Sequence, residues 1–583
     1  MSRIVSVVDF IVAQLAAQGV GHIFGVDGAN IEDLYDAAYF HPETTAVLAK
    51  HEFSAATMAD GYSRSGAGLG VVAATSGGGA LNLVAGLGES FASRVPVLAL
   101  VGQAPSTLDG RGSFQDTSGR NGALDAAALF SAVSVFCERV LAPEDIVAAL
   151  PRAIAAARTG GPAVLLLPKD VQRGSVATGP STHNGVAGSD QPQISDPHPI
   201  VQALRQAHGP VTIIAGEQVA RDDARTELEE LRALLRARVV CVPDAKDVSG
   251  TSGLGASSAL GVAGIMGHPS AAETLATSAV CLVVGTRLSL TGRAGLDEAL
   301  SAVRTVSIGS APPYVACTHV HTADLRQSLR ALRRELSGAG RPRWLRVPET
   351  MPHTELKPPA HTGPGVRYRD AMAELDRALP AEVDIVVDAG NTGAAAIHYL
   401  PPRNGGRFLV ALGMGGMGYS FGAGIGMALG RGRRTVVIAG DGSFFMHGME
   451  IHTAVQYRLP MVFILMNNNA HAMCVTREQL FYEGFYSYNR FTPSHLGAGL
   501  AAMFPGLHAI DVDTDDALSA ALATALENDG PSVISIECSA DEIPPFAPFL
   551  SDTDSPKATA PDGHHDQEPT HKEDHVDVAA SPR

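Results

Sequence analysis

The sequence predicts an α/β protein of three doubly wound parallel-sheet domains, followed by a disordered C-terminal tail. Three observations predict it. Short continuous apolar runs alternate with stretches of helical periodicity, the pattern of strands buried on both faces. The composition suits close packing of small side chains, with 45% hydrophobic residues, only 5% aromatic residues and 62 glycines. Two aperiodic stretches, Ser175 to Pro199 and Ala339 to Gly365, read as linkers and cut the 583 residues into blocks of ordinary domain size. The expected domains are 1–175, 200–338 and 366–548, with the tail at 551–583.

In the first block, Val8, Ile11, Val12, Leu15 and Ala16 recur at helical spacing. Strands are predicted at His22–Val26, Thr45–Leu48, Val71–Ala74, Val97–Val101 and Ala163–Leu167. The middle block offers Val211–Ala215, Val239–Val242, Val280–Val284 and Thr305–Ile308. The last offers Ile385–Val387, Thr435–Ala439, Met461–Met466 and Ser532–Ile536. Ligands of such sheets sit at the carboxyl ends of the strands. The tail is polar and carries four histidines (His564, His565, His571, His575), read as solvated rather than metal-binding.

Charge and cysteine usage exclude several classes. A net charge of −17 argues against a nucleic-acid binder that works through a basic surface. No run approaches the roughly 18–20 apolar residues of a membrane span. The N-terminus shows no cleavage signal, so a cytoplasmic protein is expected. The six cysteines are scattered, which argues against a zinc site or a disulfide framework.

The most informative segment runs from Thr435 to Asn469. A buried strand ends in Gly440-Asp441-Gly442-Ser443. A helix is predicted at about Gly448 to Tyr457, Pro460 stops it, and the next strand ends in Asn467-Asn468-Asn469. This is one βαβ unit, whose right-handed crossover brings both strand ends to one edge. Asp441 and Asn468 therefore meet although 27 positions apart. A carboxylate and an amide oxygen there suit a hard cation such as Mg²⁺, which takes its remaining oxygens from water and phosphate. Gly440 and Gly442 allow close backbone approach, so amides there and the Ser443 hydroxyl can meet phosphate oxygens.

These residues resemble the signature of the thiamine-diphosphate-dependent enzymes, closest to the acetolactate synthase (acetohydroxyacid synthase) and 2-oxo acid decarboxylase branch. The resemblance spans nearly all of residues 1–548. It implies that Asp441, the Asn468 side chain and the Ala470 carbonyl hold Mg²⁺. Val387-Asp388-Ala389-Gly390-Asn391-Thr392 resembles the loop that touches the diphosphate, which implies Asn391 and Thr392. Gly413-Met414-Gly415-Gly416-Met417-Gly418 resembles the loop over the cofactor, in which Met417 wedges the two rings into a V and the Gly415 carbonyl holds the pyrimidine. His51-Glu52, followed by Ala59-Asp60-Gly61-Tyr62, resembles the activating-glutamate segment. There the Glu bonds a pyrimidine nitrogen and favours the tautomer that removes the thiazolium proton. Read alone, Glu52 is only a carboxylate stabilised at a helix N-terminus.

The resemblance continues in Thr75-Ser76-Gly77-Gly78-Gly79-Ala80-Leu81-Asn82, with Asn82 supporting the pyrimidine pocket. It continues in Gly112-Ser113-Phe114-Gln115-Asp116, which puts Phe114 and Gln115 in the reaction chamber. Gly25-Val26-Asp27-Gly28-Ala29-Asn30 departs from the pattern: Asp27 stands where Pro is usual, and Ala29 leaves room for a second substrate. Arg477 stands where many acetolactate synthases carry Trp, and it can clamp a carboxylate. Met473 and Cys474 precede it as apolar pocket residues. In the middle block Ile308-Gly309-Ser310 replaces the usual acidic pair, so FAD is not expected.

The expected function is decarboxylation of a pyruvate-like 2-oxo acid with transfer of the acyl anion to a carbonyl acceptor. The alternatives are simple decarboxylation with release of an aldehyde, and a non-catalytic cofactor-binding homologue. The family's sites lie between subunits, so the resemblance implies a homodimer or a tetramer.

Overall fold

The computed structural model describes residues 3–178, 196–248, 259–338, 354–484 and 487–550. The expected tail, most of the two linkers and Trp344 lie outside them. The described residues include three six-stranded parallel sheets.

The N-terminal sheet contains β2 (His22–Val26), β3 (Thr45–Leu48), β4 (Gly70–Ala74), β5 (Val97–Gln103), β6 (Phe136–Arg139) and β7 (Pro162–Pro168) in the order β3-β2-β4-β5-β7-β6. Beside it, β1 (Arg3–Ser6) pairs antiparallel with β8 (Ser175–Thr178). The stretch read as a linker from Ser175 thus begins as a strand. Its far end is also structured, since helix His198–Arg205 starts the next unit.

The central sheet runs β11-β10-β9-β12-β13-β14, from β9 (Val211–Ala215), β10 (Arg238–Cys241), β11 (Ala259–Val262), β12 (Val280–Val284), β13 (Arg304–Gly309) and β14 (Thr318–His321). The C-terminal sheet runs β16-β15-β17-β18-β20-β19, from β15 (Asp384–Val387), β16 (Phe408–Val410), β17 (Thr435–Gly440), β18 (Met461–Asn467), β19 (His508–Val512) and β20 (Ser532–Glu537). Inner strands such as β4, β5, β7 and β18 are buried at every position, as continuous apolar runs require.

The strand order changes direction inside each sheet, and ligands bind at such switch points. The N-terminal sheet switches between β2 and β4, and the C-terminal sheet between β15 and β17. Asp27 to Asn30 and Thr75 to Gly77 leave the first pair. Asp388 to Thr392 and Asp441 leave the second.

One hydrophobic core joins the two outer sheets, whereas the central sheet has its own. Helix Glu52–Arg64 lies against helix Tyr419–Arg431 at backbone distance. A Cβ on Gly61 would stand 2.2 Å from the Ala423 carbonyl, and one on Gly426 would stand 2.0 Å from that of Met58. A buried polar cluster pins the crossing. Arg64 pairs with Asp60 at 2.7 Å, and the Tyr419 hydroxyl donates to the same carboxylate at 2.5 Å. The central domain is tied in by Lys246, whose buried ammonium donates to the Ala396, Ile397 and Leu400 carbonyls at the end of helix Asn391–Tyr399. Burial pushes this ammonium down to about 7.

Candidate active site

At the C-terminal switch point the helix starts earlier than the sequence suggests. Asp441 is the first residue of helix Asp441–His447, a 3-10 turn follows at Gly448–Glu450, and Ile451–Gln456 completes the crossover. Asp441 is 1% exposed and accepts the Ala470 amide at 3.0 Å on Oδ2. Its Oδ1 is buried without a partner, and so is Asn468 Oδ1. The Asn468 amide group donates to the Tyr368 hydroxyl at 3.3 Å, which leaves the carbonyl oxygen as its free end. Burial pushes the Asp441 carboxyl up to about 6, against the pull of nearby backbone amides. Two orphaned buried oxygens fit a hard divalent cation, which would satisfy both. Among the described residues no group of three or more His, Cys, Asp or Glu is placed to hold a metal.

Around this pair stand the other diphosphate candidates. Asn391 and Thr392 are buried at the start of helix Asn391–Tyr399. The Asn391 amide group donates to Thr476 at 3.4 Å, and its Oδ1 has no partner. Gly442 has no room for a side chain, since a Cβ would meet His471 Nδ1 at 2.5 Å and the Met417 methyl at 3.2 Å. The Ser443 hydroxyl differs from the expectation of a direct phosphate contact. It donates to Asp388 at 2.7 Å.

Asp388 is the residue that sequence reasoning passed over. Its carboxylate also accepts the amides of Ala389, Gly418 and Ser420, so it ties the β15 edge to the glycine-rich loop. Glu89 grips the other end of that loop through the amides of Gly413, Met414 and Gly415. Only a carboxylate standing at a strand end hinted at the first, and nothing local hinted at the second. Gly415 takes a φ of +66°, which suits glycine, and Met417 is half-buried beside Gly442.

In the N-terminal domain Glu52 opens helix Glu52–Arg64, capped by His51, whose ring accepts the Phe53 amide. Glu52 is 9% exposed. The Asn82 amide group donates to its Oε2 at 2.9 Å, so Asn82 holds the acid itself, a more direct place than the pocket support expected of it. Glu52 Oε1 faces Gly79, where a Cβ would stand 2.9 Å away. Gln115 reaches back to Thr75 and Ser76 from a left-handed backbone position. Phe114 is 75% exposed in the single chain, so the chain does not enclose it in a chamber. Ala29 is exposed, with its carbonyl bound by Lys169. Met473 and Cys474 are half-buried on helix Ala472–Phe481, and Arg477 is exposed on the same helix.

His447 joins the two halves within the chain. Its ring stacks on Phe53 at 4.3 Å and lies 5.0 Å from that of His51. Burial, and then His51, push it down to about 4, so it is neutral at physiological pH.

Fold and site together define an enzyme that borrows its chemistry from a bound diphosphate-bearing cofactor. Residues 5–123 match the N-terminal thiamine pyrophosphate-binding domain of thiamine pyrophosphate enzymes, 198–332 their central domain, and 388–536 their C-terminal thiamine pyrophosphate-binding domain. The chain belongs to this thiamine-diphosphate enzyme family. It is 28% identical over 561 residues to the acetolactate synthase isozyme 2 large subunit of Escherichia coli (strain K12), covering 93% of this chain and 96% of that one. It is also 28% identical to a probable acetolactate synthase large subunit of Methanocaldococcus jannaschii, at 92% and 93% coverage. The crystal structure of benzoylformate decarboxylase from Polynucleobacter necessarius shares the fold, with a TM-score of 0.78 at 20% identity over 92% of this chain and 99% of that one. No helix among the described residues is long and apolar enough to cross a membrane.

Proposed function

We propose that this chain decarboxylates a pyruvate-like 2-oxo acid and joins the resulting acyl unit to a carbonyl acceptor, in the manner of an acetolactate synthase, with Mg²⁺ anchoring thiamine diphosphate. One observation carries the reading: a buried carboxylate and amide pair with bare oxygens at one switch point, and the Asn82-held Glu52 of the other outer domain. Thiamine diphosphate, when bound, supplies a nucleophilic carbon and takes up the charge left as CO₂ departs.

The protein's share is positioning and proton handling. Asp441, Asn468 and the Ala470 carbonyl hold the cation, while Asn391, Thr392, Gly442 and Ser443 line the diphosphate. Ser443 serves through its backbone, because Asp388 takes its hydroxyl. Gly415 and Met417 shape the ring site. Glu52 accepts one hydrogen bond from Asn82 and exchanges a proton with the cofactor's nitrogen base through Oε1. Ala29, Phe114, Gln115 and Met473 bound the substrate space, and Arg477 pairs with a carboxylate of donor or acceptor.

A homodimer or tetramer completes the site in this reading, with Glu52 serving a cofactor seated on the partner's diphosphate domain. Support comes from apolar side chains at the site's open edges: Leu81, Phe114, Met414 and Phe445 are 44%, 75%, 64% and 54% exposed in the single chain. A cytoplasmic location agrees with the six cysteines, all of them free thiols.

The reading assigns no FAD to the central domain. At the end of β13, Ser310 closes the Ile308-Gly309-Ser310 run that stands in place of the family's usual acidic pair. Its hydroxyl accepts from Arg221 at 3.2 Å and its amide is bound by Gln218 at 2.8 Å. The purified protein is expected to lack flavin absorbance; a stoichiometric flavin spectrum contradicts this.

The function is tested by incubating the protein with thiamine diphosphate, Mg²⁺ and a panel of 2-oxo acids, with and without carbonyl acceptors, and identifying products by mass spectrometry. A joined hydroxyketone or hydroxy acid is expected. Free aldehyde alone moves the assignment to simple decarboxylation.

A further inference from the structure

At the switch point of the N-terminal sheet, a chain of polar groups starts at Asn30 and ends on Gln115. Asn30 follows β2 and is 7% exposed. Its side-chain NH₂ donates to Ser76 Oγ at 2.7 Å, and its backbone N–H donates to Thr75 Oγ1 at 3.1 Å. Both hydroxyls then lie against the Gln115 carbonyl oxygen, Ser76 at 3.3 Å and Thr75 at 3.5 Å.

The donors set the direction of these bonds. An amide NH₂ or N–H can only donate, so Asn30 occupies an acceptor position on each hydroxyl. With one lone pair so engaged, each hydroxyl keeps its hydrogen for Gln115 Oε1, the acceptor that faces it. With that oxygen doubly engaged, the Gln115 NH₂ is turned away from Ser76 and Thr75.

Neighbouring glycines place this end of the chain beside the activating acid. A Cβ on Gly77 would stand 2.7 Å from Gln115 Cγ, and one on Gly79 would stand 2.9 Å from both Thr75 Cγ2 and Glu52 Oε1. Asn30 is itself anchored from behind, because Gln172 donates to its carbonyl at 2.7 Å and to that of Leu167 at 2.7 Å.

We propose that Asn30 is a positioning residue that fixes the polarity of the Gln115 amide, so that Gln115 meets the substrate as an N–H donor. The inference rests on the reading of Gln115 as a residue of the reaction chamber. It deepens that reading by naming the group recognised: an oxygen with lone pairs only, the oxo or carboxylate oxygen of the 2-oxo acid, rather than a hydroxyl or amine hydrogen.

Asn30→Asp is nearly isosteric and makes the polarity depend on pH. Ionised, the new carboxylate accepts from Ser76, so Ser76 no longer donates to Gln115 and the amide is free to turn over. Protonated, it donates as Asn does. A buried carboxyl titrates above the ordinary range. The charged or titratable groups packed nearby are Asp27, Glu32, Asp33, Tyr35, Glu52 and Lys169; Lys169 binds the Ala29 carbonyl and pairs with Glu32 and Asp33. They are common to every variant, so profiles are read as ratios to wild type.

The experiment measures kcat/KM for CO₂ release, with pyruvate first and otherwise the 2-oxo acid the wild type turns over fastest, together with thiamine diphosphate affinity by calorimetry. Asn30→Asp is expected to lose about ten- to a hundredfold at high pH, the effect of one mispaired buried hydrogen bond, and to recover toward wild type as pH falls. Asn30→Ala and Ser76→Ala are expected to lose activity without that recovery, and all three keep wild-type cofactor affinity. A ratio for Asn30→Asp that stays flat with pH, alongside an impaired Gln115→Ala, overturns the relay while leaving Gln115 in the chamber. Wild-type kinetics in Gln115→Ala overturns the chamber reading and the relay with it. Ser76→Ala decides the matter if Asn30→Asp does not fold, since wild-type kinetics there also overturns the relay.

Discussion

Glu52→Gln is expected to bind thiamine diphosphate and Mg²⁺ with near wild-type affinity and to lose about 10²–10⁴-fold in turnover, the usual worth of a positioned proton-transfer group. The change is isosteric, and the new carboxamide oxygen can accept the Asn82 bond in the place of Oε2. Helix Glu52–Arg64 keeps its His51 cap and its packing against Tyr419–Arg431. What disappears is a group that can exchange a proton on the side facing Gly79. Calorimetry of cofactor binding and CO₂ release from a 2-oxo acid check the two halves separately. Full turnover in this variant contradicts the role given to Glu52.

Asp441→Ala is expected to remove Mg²⁺-dependent binding of thiamine diphosphate. The loss is larger than the roughly 10–100-fold typical of an outer-shell change, because a ligand itself is gone. Asp441 is the only carboxylate assigned to the cation, and its loss leaves only two neutral protein oxygens, Asn468 Oδ1 and the Ala470 carbonyl. The fold should survive, since the carboxylate is held by backbone amides such as that of Ala470 and pairs with no charged side chain. The same site gives a pH dependence with a definite sign. Burial holds the Asp441 carboxyl near about 6 in the absence of a cation. A proton then competes with Mg²⁺ as pH falls through that region, so the apparent Mg²⁺ affinity drops on acidification. Unchanged cofactor affinity in Asp441→Ala contradicts the metal assignment.

The inner strands were legible because they are apolar on both faces, which leaves a continuous run in the sequence. The strands that the sequence reading missed within the three sheets, β6, β11, β14, β16 and β19, all lie at sheet edges. An edge strand needs burial on fewer sides. Phe136–Arg139, Thr318–His321 and His508–Val512 accordingly mix charged, polar and apolar residues. The helix at Asp441 was placed late because a Gly-Asp-Gly-Ser run reads as a turn, whereas Asp441 and Ser443 here serve inside the first helical turn.

Asp441 and Asn468 were legible because consecutive strands of one crossover put them at one edge. Asp388, Glu89 and Asn30 act through bonds to residues distant in sequence. Asn30 meets Ser76 at a separation of 46, and Glu89 meets Met414 at 325. No local pattern announces such partners; only the packed sheets bring them together. The bond of the Ser443 hydroxyl is hidden in the sequence for the same reason, since its acceptor Asp388 lies 55 positions away.

The most direct test of the whole account is CO₂ release from 2-oxo acids by the purified protein, with thiamine diphosphate and Mg²⁺ each supplied or withheld. The account predicts release that needs both and that falls to background in Glu52→Gln. Release that persists without either cofactor in fully stripped protein, or no release from any 2-oxo acid by protein shown to bind both, contradicts it.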